Sequence, residues 1–203
     1  MTPTYTKDNT TTKNGVCAFW GVKHPNNVRI DDNVLDLRFL SNFYEAPFKA
    51  PIVTPGQSPD GYTLASWTSS EQYFMYRKAM FFCDLTIAEK LMEPNKNGNY
   101  YKTLGRKVGD TNKRPSVVKF DATLWSTVSP SIMFDTLVYK FATNAELSHK
   151  LRQTGEQLLV EASPYDKIWG AGADKSKLNN DPKEWTGQNL LGFLLMQVRD
   201  IIA

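Results

Sequence analysis

The sequence has few of the residue types that form disulfide frameworks and metal sites. Its 203 residues include two cysteines, Cys17 and Cys83, and two histidines, His24 and His149. Two cysteines cannot build a disulfide framework, and none of the four residues occurs at a metal-ligand or Ser/His/Asp spacing. We therefore expect the thiols to act as small buried hydrophobic groups and the histidines to have no catalytic role.

Long apolar runs and a strong excess of one charge are also absent. No apolar run approaches the roughly 18 residues of a membrane helix, and the first residues lack the pattern of a signal peptide. We therefore expect no membrane association and an intracellular location, cytoplasmic or nuclear. The net charge of +3, from 24 basic and 21 acidic residues, is too small to indicate DNA binding. It permits an anionic substrate where positive charges converge.

The composition is otherwise that of a globular protein, with 41% hydrophobic residues. Residues 1–15 are rich in Thr, Asn and Lys and nearly devoid of large apolar groups, which is typical of a flexible N-terminal tail. Residues 16–203 are long enough for one sizeable core. They predict a single domain of the α+β class, with helices packed around a small β-sheet.

Local patterns predict the order of the elements. An Asn/Asp-rich loop is predicted near 23–36 and a turn at Pro59–Gly61. Predicted strands are residues 16–21, a short strand ending at Trp67, and residues 157–162. Predicted helices are 69–83, 85–92, one that starts at Ser129–Pro130 and ends near Ala142, one from Asn144 to a left-handed cap at Gly155, and 187–202.

The stretch WTSSEQYFMYRKAMFF contains two charged residues on one helix face. Glu71 and Lys78 are seven residues apart, which brings them to nearly the same face about 10.5 Å apart along the axis. Thr68 and Glu71 also fit a capping box, in which Glu71 would cap the helix and Lys78 would be a surface lysine. The alternative is a site in which an anionic group meets Lys78 and the reacting carbon lies near Glu71.

The loop EASPYDKIWGAG combines a carboxylate, a tryptophan and two glycines. Trp169 could stack on a nucleobase, and Gly170 and Gly172 would let backbone amides approach an anion. Asp166 could serve as a catalytic carboxylate. The alternative is an ordinary Asx-turn with an anchoring tryptophan.

Other candidate binding residues lie outside these two segments. FLSNFYEAPF surrounds Asn42 with aromatic residues that include Phe43, and Asn42 could read a base edge, bind a ribose hydroxyl or fix a turn. Arg106 could bind phosphate or be a solvated surface residue. Trp125 could belong to the core or form a second stacking wall.

Five motifs together resemble the NADAR family, also called YbiA-like. They occur in the order of that family and extend from about Phe19 to the C-terminus, with FLSNFYEAPF, WTSSEQYFMYRKA, KFATN, LRQTGEQLLVEASPYDKIWGAG and GQNLLGFLLMQVR. The resemblance implies an α+β N-glycosidase without a metal or cofactor. It also implies that the active site is lined by Glu71, Lys78, Trp125, Asp166 and Trp169.

The resemblance implies two classes of substrate. The first is ADP-ribosylated guanine, in a nucleotide or in nucleic acid, which would pair the enzyme functionally with an ADP-ribosyltransferase. The second is phosphoribosylated aminopyrimidines of riboflavin synthesis. A module that binds ADP-ribose or nucleotides without cleaving them is the non-enzymatic alternative.

Both substrate classes require cleavage of a bond between C1′ and nitrogen. In one route Glu71 stabilises the developing sugar cation and Asp166 activates water or contacts the sugar. In the other, Lys78 with a lowered pKa attacks C1′ to form a Schiff base while Glu71 handles protons.

Overall fold

The computed structural model describes residues 4–11, 13–53, 63–178 and 181–202. The described strands are β1 (Val16–Phe19), β2 (Asn27–Ile30), β3 (Asn33–Asp36), β4 (Phe48–Pro51), β5 (Leu64–Trp67) and β6 (Leu158–Glu161). The described helices are α1 (Ser70–Phe81), α2 (Leu85–Leu91), α3 (Gly98–Gly105), α4 (Ala122–Ala142), α5 (Ala145–Gln153) and α6 (Leu190–Ile201). The predicted α+β class is confirmed.

The described residues divide into two compact units. One unit contains the chain up to Tyr44 together with the chain from Asn144 onward, and the other contains Glu45–Thr143. The two ends of the sequence thus fold into one unit, and the middle of the sequence forms the second.

The terminal unit is organised around a parallel pair of strands. Val16 of β1 lies opposite Leu158 of β6, and α6 packs on β6. Both strands are almost entirely buried, as expected for parallel strands. The predicted strands in these two segments are confirmed, and Gly155, with a φ of +54°, ends α5 as predicted.

The middle unit is organised around α1. This helix packs against α2, α3 and α4, and β5 pairs antiparallel with β4. Trp67 is fully buried at the end of β5, with its ring 4.9 Å from that of Tyr73 and 4.6 Å from that of Tyr76. This aromatic cluster packs on the face of α1 that carries Tyr73 and Tyr76, and the opposite face of the helix is left for other contacts.

The structure corrects the predicted start of α4. The helix begins at Ala122, because the side chain of Asp121 accepts the backbone N–H of Leu124, and Pro130 lies inside it. Ser129–Pro130 fits a helix start by sequence, but the residues before it are also helical. Among them, Trp125 packs on Phe74 and Phe81 of α1. Trp125 therefore lies in the first turn of α4.

Four further differences involve local structure. The Asn/Asp-rich segment contains the β2–β3 hairpin, with Asp31 at a φ of 51° in its turn, and α3 occupies a segment in which no helix was predicted. The described strands form three two-stranded sheets instead of one small sheet. Cys17 is buried as expected, whereas Cys83, which follows α1 at a φ of 52°, is exposed.

Two residues of the predicted tail are hydrogen-bonded to the C-terminal part of the chain. In the segment predicted as a tail, Tyr5 donates a hydrogen bond to Asp200, and Lys7 donates one to the carbonyl of Trp185. The boundary between tail and domain stays a prediction.

The predicted turn at 59–61 lies outside the described residues. No helix in the described part of the chain has the length and apolarity needed to cross a membrane.

A buried ion pair holds the segment that follows α3. The carboxylate of Asp84 is fully buried, accepts the N–H of Gly109 at 3.0 Å and binds Arg114 at 2.8 Å. It also caps α2 through the N–H of Ile87. The pair thus links the start of α2 to the segment that leads into α4.

Replacing Asp84 with Asn should lower the free energy of unfolding by about 3 kcal/mol, because Arg114 would lose a buried counter-charge. Urea unfolding measures this change. The control is Asp110→Asn, whose partner Lys113 is exposed at 3.6 Å and whose loss should cost less than about 1 kcal/mol. Equal losses in the two variants would contradict the assigned role of Asp84.

Candidate active site

Glu71 lies in the first turn of α1 but does not cap the helix. Ser69 is the N-cap and accepts the N–H of Gln72 at 3.3 Å, while the side-chain oxygen of Gln72 accepts the N–H of Thr68 at 2.7 Å. The capping role proposed for Glu71 is therefore wrong, because Gln72 performs it. Glu71 is only 6% exposed, so its carboxylate is held within the protein.

Lys78 is largely enclosed by the residues around it. Its ammonium group donates to the carbonyl of Gly105 at 3.0 Å and lies 4.3 Å from the ring centre of Phe120. Burial lowers the pKa of Lys78 from 10.5 to about 8, and the charge of Glu71 opposes that shift. The two residues interact electrostatically, as their shared helix face predicts, and Lys78 is not a solvated surface lysine.

An aromatic wall stands beside Lys78. Trp125 lies 5.4 Å from the ring of Phe74 and 6.2 Å from that of Phe81, and its ring is 5.6 Å from the Lys78 nitrogen. Trp125 is only partly buried and packs at the edge of the core. It can therefore serve both as a packing residue and as a wall of the site.

Phe120 belongs to this wall, and the sequence analysis missed it. Its N–H donates to the carbonyl of Gly109, and a Cβ on Gly109 would lie 2.5 Å from that same nitrogen. Gly109 also has a φ of +74°, which favours glycine. The sequence signal for this contact was Gly109, where both the positive φ and the lack of space favour glycine.

Arg106 directly follows the carbonyl group that binds Lys78. It ends α3, its backbone N–H donates to Lys102, and its side chain is exposed. This position leaves the guanidinium available to an anion, and its predicted role in phosphate binding stays a prediction.

In the terminal unit, Asp166 organises the loop that contains Trp169. One carboxylate oxygen accepts the N–H of Ile168 at 3.0 Å and that of Trp169 at 2.8 Å, which is the Asx-turn considered from the sequence. The other oxygen has no hydrogen bond within the described residues. Asp166 can therefore form the turn with one carboxylate oxygen and keep the other for a chemical role.

The two glycines of this loop are required by close packing. A Cβ on Gly170 would lie 2.8 Å from the carbonyl of Asp166, and one on Gly172 would lie 2.3 Å from the hydroxyl of Thr186. Gly172 also has a φ of +71°. Packing thus accounts for both glycines, and their role in binding an anion stays a prediction.

Asn189 holds this loop against β6 and α6, and the sequence analysis did not single it out. It is fully buried at a φ of 53°, and its N–H donates to Gly170 at 3.0 Å. Its side chain accepts the N–H of Glu161 and donates to the carbonyl of Leu159. The next two N–H groups of α6 donate to the carbonyls of Ile168 and Trp169.

Asn42 has a buried polar group that is not satisfied. Its side-chain oxygen has no hydrogen-bond partner within the described residues, and the side chain is 9% exposed. Phe43 donates its N–H to the hydroxyl of Ser41 at 3.2 Å. An unsatisfied buried acceptor is compatible with ligand binding by Asn42.

The candidate residues fall into two groups. Glu71, Lys78, Arg106 and Trp125 belong to the middle unit, and Asn42, Phe43, Asp166, Trp169, Gly170 and Gly172 belong to the terminal unit. The expected approach of Glu71 to Asp166 stays a prediction.

Comparisons with known proteins agree on one family. A family model described as the NADAR domain matches residues 19–203. Protein irg-1 of Caenorhabditis elegans is 39% identical over 164 residues, which cover 79% of this chain and 74% of that protein. N-glycosidase R617 of Acanthamoeba polyphaga mimivirus is 37% identical over 142 residues, which cover 70% of this chain and 78% of that protein.

A solved structure has the same fold. The NMR structure of the E. coli protein YbiA superposes with a TM-score of 0.59 and covers 93% of this chain and 84% of its own. The sequences are 24% identical in that superposition, so the similarity concerns the fold alone.

Replacing Asn189 with Gly should lower the free energy of unfolding by about 1–3 kcal/mol. Glycine tolerates the positive φ, but the N–H of Glu161 and the carbonyl of Leu159 would lose their side-chain partner. The matched control is Asn95→Gly at an exposed position with a φ of 60°, where little change is expected. Urea unfolding of both variants measures the difference, and an equal change in the two variants would contradict the role of the Asn189 side chain in holding the loop.

Proposed function

The chain belongs to the NADAR family, and we propose that it is an N-glycosidase that removes ADP-ribose from the amino group of ADP-ribosylated guanine, in a nucleotide or in DNA. The main support is Lys78, a partly buried amine with a pKa of about 8 on the same helix face as Glu71. The name of the mimivirus relative, an N-glycosidase, supports the reaction type. Such an activity would act together with a transferase that adds the ADP-ribose.

The environment of Lys78 suits a nucleophilic amine. At pH 7 a group with a pKa near 8 is neutral in about one molecule in ten, far more than an exposed lysine. The neighbouring rings of Phe120 and Trp125 exclude water from one side of the amine. A nucleophilic amine of this kind attacks the electrophilic carbon of an imine.

The proposed reaction begins when the bond between C1′ and the ring oxygen breaks, the N–H proton of the glycosylamine passes to that oxygen, and an imine forms between C1′ and the guanine nitrogen. The neutral amine of Lys78 adds to C1′, and its two protons pass one after the other through Glu71 to the guanine nitrogen. The guanine nitrogen leaves as an amine, and C1′ remains bound to Lys78 as an imine. Water hydrolyses this imine, which releases ADP-ribose and restores the lysine.

A direct attack by water is the competing route. Glu71 would then stabilise the cation at C1′ while water attacks that carbon. The lowered pKa of Lys78 favours the first route, because charge stabilisation alone would not need a partly neutral lysine.

Borohydride added during turnover should trap the sugar on Lys78, which intact-protein mass spectrometry would detect. Lys78→Arg keeps the charge but should abolish the adduct and lower kcat by at least about 100-fold, since the nucleophile is lost. The rate of the unmodified protein should rise as the pH approaches 8 and level off above it.

The control for the trapping experiment is Lys107→Arg, which alters an exposed lysine near the candidate site. It should retain the adduct and the rate. Full activity in Lys78→Arg, or turnover without any adduct in the unmodified protein, would exclude the lysine route.

The substrate class is tested by comparing two compounds. An oligonucleotide with ADP-ribosylated guanine should release ADP-ribose, and a phosphoribosylaminopyrimidine should be cleaved more slowly. Release from the second compound alone would assign the protein to the pyrimidine substrates. Binding of ADP-ribose with no cleavage of either compound would indicate a non-catalytic module.

A further inference from the structure

The first turn of α1 is polar and almost fully buried. Ser69, Ser70, Glu71 and Gln72 are each less than 10% exposed. Buried polar groups in proteins normally have hydrogen-bond partners, and one without a partner costs about 1–3 kcal/mol. The partners of these side chains therefore indicate which of them serve the fold.

Gln72 and Ser69 are satisfied within the protein. The oxygen of Gln72 accepts from the backbone and the hydroxyl of Thr68, and its nitrogen donates to the carbonyl of Leu91 at 2.9 Å. The hydroxyl of Ser69 caps α1 through the N–H of Gln72. These two side chains account for the structural requirements of the helix start.

Ser70 differs from both. Its side chain is completely buried, yet its hydroxyl has no hydrogen-bond partner within the described residues. A serine inside a helix usually bonds to the carbonyl four residues earlier, but Ser70 is the first residue of α1 and has no turn of helix behind it. Its hydroxyl therefore needs a partner from outside the helix.

The position of Ser70 relates this hydroxyl to the proposed site. Ser70 precedes Glu71, and Phe74 follows four residues later, one turn along the same side of the helix. Phe74 packs on Trp125, which stands beside Lys78. Ser70 thus lies one helical turn before Phe74, whose ring packs on Trp125.

We propose that Ser70 is a substrate-binding residue whose hydroxyl makes a hydrogen bond to a hydroxyl of the ribose that is bound at C1′. The inference rests on the proposed function, since it assigns a residue to the same site. A ribose hydroxyl both donates and accepts, as the serine hydroxyl does, so the two groups match in either direction. The free protein leaves the serine unsatisfied, and the ligand supplies the missing bond.

The test is the pair of variants Ser70→Ala and Ser69→Ala. Without ligand, Ser70→Ala should unfold at the same temperature as the unmodified protein or above it, because no bond is lost. Ser69→Ala should lower Tm by about 2–4 °C, because it removes a helix cap. A fall in Tm for Ser70→Ala as large as that for Ser69→Ala would overturn the proposal, since it would reveal a structural partner.

Binding of ADP-ribose, measured by calorimetry, provides the second readout. Ser70→Ala should weaken binding roughly three- to tenfold, the effect of one neutral hydrogen bond. Analogues that lack one hydroxyl of the terminal ribose complete the cycle. For the analogue lacking the hydroxyl that meets Ser70, the variant and the unmodified protein should bind equally.

The outcomes separate this proposal from the proposed function. An unchanged affinity for ADP-ribose in Ser70→Ala, or the same loss with every analogue, would overturn the role of Ser70 even where the enzyme is active. Loss of affinity without cleavage of ADP-ribosylated guanine would support Ser70 and overturn the proposed reaction.

Discussion

The burial of the first turn of α1 is the constraint on which the candidate site depends. Polar groups removed from water must be paired within the protein or with a ligand. Gln72 is paired on both ends of its amide, and this releases Glu71 from capping. The same helix start therefore contains residues that cap the helix, Ser69 and Gln72, and a buried carboxylate, Glu71, that does not.

The properties of Lys78 come from a segment distant in sequence. Gly105 supplies the carbonyl that accepts from the amine, and Phe120 covers it with an aromatic ring. The ion pair between Asp84 and Arg114 holds the segment that connects these two residues. The buried ion pair thus holds the segment whose two ends, Gly105 and Phe120, contact the amine of Lys78.

In the terminal unit, the loop with Asp166 and Trp169 replaces the usual side-chain cap of a helix. The first N–H groups of α6 donate to the loop carbonyls, and Asn189 adds the bonds to β6. A helix start must satisfy its free N–H groups, so the loop and the helix determine each other's position. The Asx-turn at Asp166 belongs to this arrangement and leaves one carboxylate oxygen available.

The sequence by itself determined where α1 lies, that Glu71 and Lys78 share a face of it, and that Asn144 and Gly155 delimit α5, because these features follow from helical periodicity and local caps. It pointed to a capping box of Thr68 and Glu71, whereas the structure caps the helix with Ser69 and pairs the N–H of Thr68 with Gln72. It also could not find the cap of α4 at Asp121, because Ser129–Pro130 satisfies the same local rules. Only the tertiary structure decided these cases, because which polar group is buried beside which partner depends on residues far apart in the chain.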